Sequence, residues 1–289
     1  MRTPVEPAIR PLRKTDSVGE IVEVHDVDDP RLADFRDLTV ADRRPDRPGG
    51  RGLVIAEGVV VVRRLLDSPY PPRAVFGVPE KVSPLATDVA APCYTGSPEL
   101  MAQVVGFRLN RGVLATADRA PVPLVPELIA RSHHLAVLEG VNDHENLGGL
   151  FRNAAALGVD AILLGPRCAD PLYRRSVRVS MGHVLRVPFA WLRCWTGDLD
   201  ALRAAGFRVA ALTPAADAVP LSEAGLGAGR VAWLLGAEGP GLSVEALVAA
   251  DLAVRIPMAS GVDSLNVATA AAIAFATVRG AGNAQNALT

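Results

Sequence analysis

The chain has 289 residues, 49% of them hydrophobic, enough for a sizeable core and, by length, for about two domains. Its formal net charge of −1 excludes a protein that coats nucleic acid through overall basicity, and a 4% aromatic content favours helices packed closely on a sheet over an aromatic-rich β-sandwich. Lys14 and Lys81 are the two lysines among 30 basic residues. The remainder are arginines, which suit bidentate phosphate contacts, although GC-rich coding produces the same bias. Cys93, Cys168 and Cys194 are odd in number and lack metal-ligand spacing, so reduced thiols and no metal site are expected. There is no apolar signal-peptide core, and the longest apolar run, 267–278, contains Thr269 and Thr277 and is too short to span a bilayer. The expectation is a soluble cytoplasmic protein.

In chain order, residues 1–18 are rich in proline and charge and read as a loose arm. Residues 19–120 read as a compact α/β unit. Within it, a short helix is predicted over 30–38 and a flexible loop where Arg43, Arg44, Arg47 and Arg51 are broken by Pro45, Pro48 and Gly49-Gly50. A strand follows at 53–56, a helix at 59–66 and a strand at 74–78. Ser97-Pro98-Glu99 opens a helix with a good N-cap and proline at its first position, and a strand at 112–116 completes the unit. Residues 121–130 are the linker candidate, because prolines at every second or third position from 120 to 126 block both helix and central strand. Over 131–289, strands are predicted at 135–138, 161–164, 187–191, 207–212, 231–235 and 252–256. Helices alternate with them at 146–157, 198–205, 243–249 and 264–278. Short apolar strands alternating with helices imply an α/β fold with a mainly parallel sheet covered on both faces.

Three glycine-bearing turns stand out at 146–152 (N-L-G-G-L-F-R), 234–243 (L-L-G-A-E-G-P-G-L-S) and 256–268 (I-P-M-A-S-G-V-D-S-L-N-V-A). Several separate turns of this kind are how an α/β fold assembles one ligand site. On the first helix, Leu147, Leu150, Phe151, Ala154 and Leu157 share a sheet-facing side, while Gly148, Gly149, Arg152 and Ala156 leave the opposite side open to close approach by another backbone, a subunit or a ligand. Asn146 could simply cap this helix. In the second turn Glu238 is the one carboxylate among Gly236, Gly239 and Gly241, with Ser243 as N-cap. The third turn leads into an alanine-rich helix, apolar nearly all round and therefore expected to be buried, with Ser264 and Asn266 at its start.

Together these turns resemble the three signature motifs of the SpoU (TrmH-like) RNA methyltransferases of the SPOUT class. Asn146, Gly148 and Arg152 match the family's N-x-G-x-x-x-R, and the stretch from Asp170 to Pro188 is similar to its middle segment. The likeness covers about residues 130–280. Gly52-Leu-Val-Ile-Ala-Glu57-Gly58 more weakly resembles the small substrate-binding domain that often precedes it. The resemblance implies a C-terminal domain with a deep trefoil knot, preceded by a smaller α/β substrate-binding domain. It also implies transfer of a methyl group from S-adenosylmethionine, with no metal, to a ribose 2′-hydroxyl of RNA. By resemblance Asn146, Arg152, Glu238, Ser264 and Asn266 form the catalytic set. Thr213, Gly236, Glu238, Gly239, Ile256, Met258 and Leu265 hold the methyl donor, and the family pairs as homodimers through this domain. Ribosomal RNA is expected over transfer RNA. For RNA contact the candidates are Arg43, Arg44, Arg47, Arg51, Arg108, Arg111, Arg174, Arg175 and Arg178.

Other readings fit less well. A Rossmann oxidoreductase needs G-x-G-x-x-G after the first strand of a βαβ unit, and Gly236, Gly239 and Gly241 have the wrong spacing and come too late. A metal hydrolase would need a second histidine four residues beyond His144. A non-catalytic RNA-binding protein is the remaining alternative, against which the intact polar set of Asn146, Arg152, Glu238 and Asn266 argues.

Overall fold

The computed structural model describes residues 19–227 and 229–278; the arm expected at 1–18 and the last residues lie outside the described residues. Two sheets organise the chain. The first contains β1 (Ile21–Glu23), β2 (Val54–Glu57), β3 (Pro72–Gly77), β4 (Cys93–Thr95) and β5 (Val113–Ala117), in the order β1-β4-β3-β5-β2. β5 runs antiparallel to β2 and β3, while the β1–β4 and β3–β4 pairs are parallel. Its helices are α1 (Leu38–Ala41), α2 (Val59–Leu66), α3 (Pro79–Ala86) and α4 (Pro98–Val105). α2 and the start of α4 form as the pattern predicts. Ser97 caps α4 by accepting a hydrogen bond from the Leu100 N–H at 3.1 Å, and Gly106, at φ 80°, ends it.

Two expectations in this region change. The helix predicted over 30–38 is a 3-10 turn, Pro30–Phe35, because Asp37 takes a left-handed conformation (φ 51°) that breaks the run before α1. The segment 121–130, expected to be helix-free, carries the start of α5 (Val125–Arg131). Pro126 sits in its first turn, where a missing N–H costs nothing, and the Leu124 N–H donates to the Glu127 carboxylate.

The second sheet has seven strands: β6 (His134–Glu139), β7 (Ala161–Leu164), β8 (Phe189–Trp191), β9 (Phe207–Leu212), β10 (Val219–Pro220), β11 (Arg230–Gly236) and β12 (Leu252–Arg255). Their order is β10-β12-β9-β11-β6-β7-β8 and every pairing is parallel. The other helices are α6 (His144–Ala156), α7 (Arg174–Val179), α8 (Trp195–Ala204), α9 (Val244–Ala249) and α10 (Val267–Phe275). Alternation along β6 divides the core. Ala136 and Leu138 pack with α6 and α10, while Leu135 and Val137 pack with α5, α8 and α9 on the other face. A sheet buried on both faces needs continuous apolar strands, and β6 is buried at all six positions.

Helix starts refine the pattern-based reading. α6 is capped by Asp143, whose carboxylate accepts from the Glu145 and Asn146 N–H groups at 2.9 Å, so Asn146 is free of the capping role. α10 begins after Ser264: Asn266 is its cap, accepting from Ala268 and Thr269. α10 is not buried all round. Val267, Ala271, Ala274 and Phe275 face the core, but Thr269 and Ile273 lie on an exposed side. Gly148 and Gly149 serve packing within the chain. A Cβ on Gly148 would meet Val179 of α7 at 2.8 Å and the Ser176 carbonyl at 2.9 Å, and one on Gly149 would meet Ala268 of α10 at 3.0 Å.

The two sheets share one core, in which Val61, Val62 and Leu65 of α2 join Val184 and Leu185 of the second half. A polar clasp closes the same seam. Arg119 donates to Asp170 at 2.6 Å and to the Asp42 carbonyl at 3.0 Å, and the Arg174 N–H donates to the Asp42 carboxylate at 2.5 Å. Burial pushes the Asp42 carboxyl up to about 6, against the lowering effect of Arg174. A raised folded pKa means the protonated form fits the fold better. Its stabilising contribution is therefore present in acid and lost as pH rises through about 6. Asp42→Asn is accordingly expected to gain on wild type between pH 5 and pH 8, by on the order of 1 kcal/mol, the tail of a loss that begins near the ordinary carboxylate pKa. Thermal melts of both proteins across that range check this; a difference that does not move with pH would sink it.

Candidate active site

The C-terminal ends of β9, β11 and β12 surround a cavity of about 460 Å³, where a parallel α/β sheet places its ligands. Every donor-binding residue expected from the sequence lines it: Thr213 after β9, Gly236, Glu238 and Gly239 after β11, and Ile256, Met258 and Leu265 beyond β12. Leu212, Leu235, Val267 and Ala270 add apolar wall that the motifs did not single out. An apolar cleft with a few polar groups and much exposed backbone suits a flat heteroaromatic ligand with a polar tail. The 236–243 loop approaches itself closely: a Cβ on Gly236 would stand 2.3 Å from the Gly241 carbonyl carbon and 2.4 Å from the Leu242 nitrogen.

Four of the five expected catalytic residues converge here. Ser264 and Asn266 line the cavity with Glu238. The Asn266 amide donates at 2.6 Å to Asn146 Oδ1 and at 2.6 Å to the Glu238 carboxylate. Three distant motifs therefore meet in one hydrogen-bonded chain, and the same Asn266 caps α10 with its oxygen. Glu238 is exposed, and Asn266 supplies its hydrogen bond. Asn146 holds its place because Asp143 has taken over the cap. Asn153, one face round α6, ties the two helices by donating to the Ala268 carbonyl at 2.7 Å.

Arg152 is the exception. It is exposed, it does not line the cavity of its own chain, and among the described residues it makes no ion pair. Six residues of helix turn it away from Asn146, onto another side of α6.

One residue of the site was not apparent from sequence. Glu139, at the end of β6, is 3% exposed and accepts the Ser243 N–H at 2.8 Å, with Arg167 at 3.7 Å as its charged partner. It thus anchors the far end of the 236–243 loop from behind. An acidic residue ending an otherwise apolar buried strand was the available signal. Glu139→Ala would leave the Ser243 N–H unpaired and free the loop. The expected result is about a tenfold rise in KM for the methyl donor with a smaller change in kcat. Glu139→Gln keeps an acceptor and should restore most of the loss; an alanine variant with unaltered donor KM would refute the anchoring role.

The candidate RNA-contacting arginines divide. Arg51 donates to the Ala33 and Arg36 carbonyls, Arg44 lies 5.4 Å over the Trp191 ring, Arg174 lies 4.4 Å over Phe107 beside Glu57, and Arg175 pairs with Glu145 at 2.6 Å. Arg43, Arg47, Arg108, Arg111 and Arg178 are exposed. The loop at 43–51 is thus pinned at two points. Among the described residues there is no cluster of three metal-ligating side chains, and no helix long and apolar enough to cross a membrane.

Comparison with known proteins agrees with this geometry. The SpoU rRNA Methylase family model matches residues 133–276. The chain is 56% identical over 261 residues to an uncharacterized tRNA/rRNA methyltransferase of Mycobacterium tuberculosis, covering 89% of this chain and 91% of that one. It is 28% identical over 230 residues to the 23S rRNA (guanosine(2553)-2′-O)-methyltransferase RlmP of Bacillus subtilis, covering 78% and 88%. A crystal structure of AdoMet-bound rRNA methyltransferase from Sinorhizobium meliloti superposes with a TM-score of 0.75 at 26% identity, over 90% of this chain and 97% of that one. Fold, pocket and motifs define an RNA methyltransferase of the SPOUT class. Within that class, the chain belongs to the SpoU rRNA methylase family.

Proposed function

We propose that this protein transfers a methyl group from S-adenosylmethionine to a ribose 2′-hydroxyl of ribosomal RNA. The observation that carries the reading is the hydrogen-bonded set Asn146, Asn266 and Glu238 at the wall of a cavity whose other walls are apolar side chains and glycine backbone. The cavity fits such a donor: Leu212, Leu235, Ile256 and Leu265 offer apolar surface, and Gly236 and Gly239 leave the backbone open. When bound, the sulfonium supplies an electrophilic methyl carbon for in-line displacement. The protein must align the attacking hydroxyl, exclude water and ease loss of its proton. Asn146 and Asn266 fix the side chain of Glu238 and the start of α10. Arg152 binds the RNA phosphate and stabilises the developing alkoxide; a guanidinium holds its proton too firmly to be a ready base. The relatives in Bacillus subtilis and Sinorhizobium meliloti are an rRNA 2′-O-methyltransferase and an rRNA methyltransferase, which supports the choice of ribose oxygen and of ribosomal RNA.

The same reading includes a homodimer. Arg152 lies outside its own chain's cavity, while Leu265 at the cavity and Ile273 on the open side of α10 are exposed apolar groups. A second copy seated there would bring its Arg152 to this cavity. The close self-approach of the 236–243 loop and the passage of 256–266 beside it are where the trefoil knot would lie. Residues 19–120 form the RNA-selecting domain in this reading.

The test is incubation with radiolabelled S-adenosylmethionine and unmodified bacterial RNA, followed by mapping of the label. Label on a ribose 2′-oxygen of ribosomal RNA is expected. Label on transfer RNA would overturn the substrate and keep the chemistry. Donor binding with no transfer to ribosomal or transfer RNA would favour a non-catalytic RNA-binding protein.

A further inference from the structure

Positive charge is unevenly compensated on this molecule. Arg44, Arg51, Arg174 and Arg175 all engage protein carbonyls, rings or carboxylates. At the seam between the two sheets, Arg152 and Arg186 have no such partner among the described residues, and Arg64 meets one backbone carbonyl and no carboxylate. The segment between α7 and the 3-10 turn His183–Leu185 is bent by Met181 (φ 55°) and Gly182 (φ 84°), two left-handed residues in succession. Gly182 sits against α2 so tightly that a Cβ there would touch Val61 at 3.1 Å and the Arg64 side chain at 3.4 Å. Arg64 in turn donates to the Met181 carbonyl. This strained bend brings His183 and the exposed Arg186 beside Arg64 from the first sheet's helix, while α6, which packs on the same turn, adds Arg152.

Among the described residues, none of Arg64, Arg152, His183 and Arg186 is ion-paired to a carboxylate. His183 registers the resulting field. Burial lowers its pKa first, and the charges of Arg64, Arg186 and Arg152 lower it further. Three arginines that the fold gathers with a strained bend around a histidine kept from charging, with no carboxylate partner among the described residues, suit a polyanion.

We propose that Arg64, His183 and Arg186 form a phosphate-binding track for the RNA backbone that runs across the seam between the two sheets and leads to Arg152. The proposal rests on the RNA methyltransferase reading and extends it to residues outside the three signature turns. Two consequences follow from the placement. The track uses Arg64 from the first half of the chain and His183 and Arg186 from the second, so RNA bound there spans both sheets. It also accounts for recognition of a polyanion by a chain of net charge −1, because local uncompensated charge, not total charge, sets the phosphate contacts.

The test is binding of the full chain to an unmodified bacterial ribosomal RNA transcript, measured over a salt series, with donor binding followed separately by calorimetry. Arg64→Ala and Arg186→Ala together should weaken RNA binding roughly tenfold at moderate salt, and each should reduce the slope of log K against log salt by about 0.7–0.9. Donor affinity should not move. Arg131→Ala, which removes an exposed charge elsewhere, should leave the slope unchanged. If loss of the Met181 contact makes Arg64→Ala unstable, Arg186→Glu carries the test alone, since among the described residues no hydrogen bond or ion pair engages its side chain. Wild-type RNA affinity and slope in the Arg186 variants overturns the track while leaving the methyltransferase reading intact. Failure of the wild-type protein to bind or methylate any RNA overturns both.

Discussion

Arg152→Ala is expected to lower methyl transfer by on the order of 100- to 1,000-fold, the effect of removing one charged stabiliser from a developing oxyanion. Donor affinity should stay near wild type, because Arg152 acts on the RNA phosphate and the developing alkoxide and is no part of the donor-binding wall of its own chain. Arg152→Lys keeps the charge but not the planar fork, and should recover only part of the loss; near-wild-type turnover with lysine would remove a specific guanidinium role. The same variant tests the subunit arrangement. Mixed with Asn266→Ala, which is intact at Arg152, it would form dimers in which one cavity has a wild-type Asn266 and faces a wild-type Arg152. Random pairing in a two-fold dimer gives about a quarter of wild-type activity from two nearly inactive proteins. Activity no higher than the sum of the two variants alone would place Arg152 in the service of its own chain and overturn the shared site.

What could be read from the sequence follows the range of the signal. α2 and the strands β7 and β9 form where apolar runs predict them, since a local run of buried residues is itself the cause of the element. β1 and β4 escape because each is three residues long with a polar end, Ile21-Val-Glu23 and Cys93-Tyr-Thr95, whereas the equally short β8 lies in the apolar run from Val187 to Trp191. α5 escapes because Pro126 signals a block in the middle of a helix and a good start at its first turn, and only the position distinguishes the two. The site shows the same division. Asn146, Glu238 and Asn266 were identifiable by motif, but the hydrogen bonds joining them span 120 and 28 residues and belong to the fold. Glu139 hides in an apolar strand. Arg64 and His183 lie on opposite sides of the proline-rich segment at 121–130, so nothing local connects them. Conversely, the arginine-rich stretch at 43–51 invites an RNA-binding reading, yet Arg44 and Arg51 are held by Trp191 and by backbone carbonyls.

Gly236→Ala is expected to abolish donor binding, raising Kd by at least about a hundredfold, which corresponds to about 3 kcal/mol. The argument is steric and involves backbone alone. A methyl group at Gly236 would need to occupy space within 2.3–2.6 Å of the Gly241 carbonyl group and the Leu242 nitrogen, none of which can rotate away as a side-chain tip would. The loop can relieve the clash only by opening, which breaks the bridge between Ala237 and Gly241 and pulls on the Ser243 N–H held by Glu139. Those contacts shape the cavity wall, so the loss falls on the donor before it falls on the fold. β11 itself is buried between β9 and β6 and keeps its ladder up to Leu235. Calorimetry should therefore show lost donor binding while the thermal transition drops by only a few degrees. Gly239→Ala is the matched control: its Cβ would meet nothing within 4 Å, and the cost is confined to its left-handed backbone at φ 86°. A Gly236 variant that binds the donor as well as the Gly239 variant would show that the close approach does not shape the pocket.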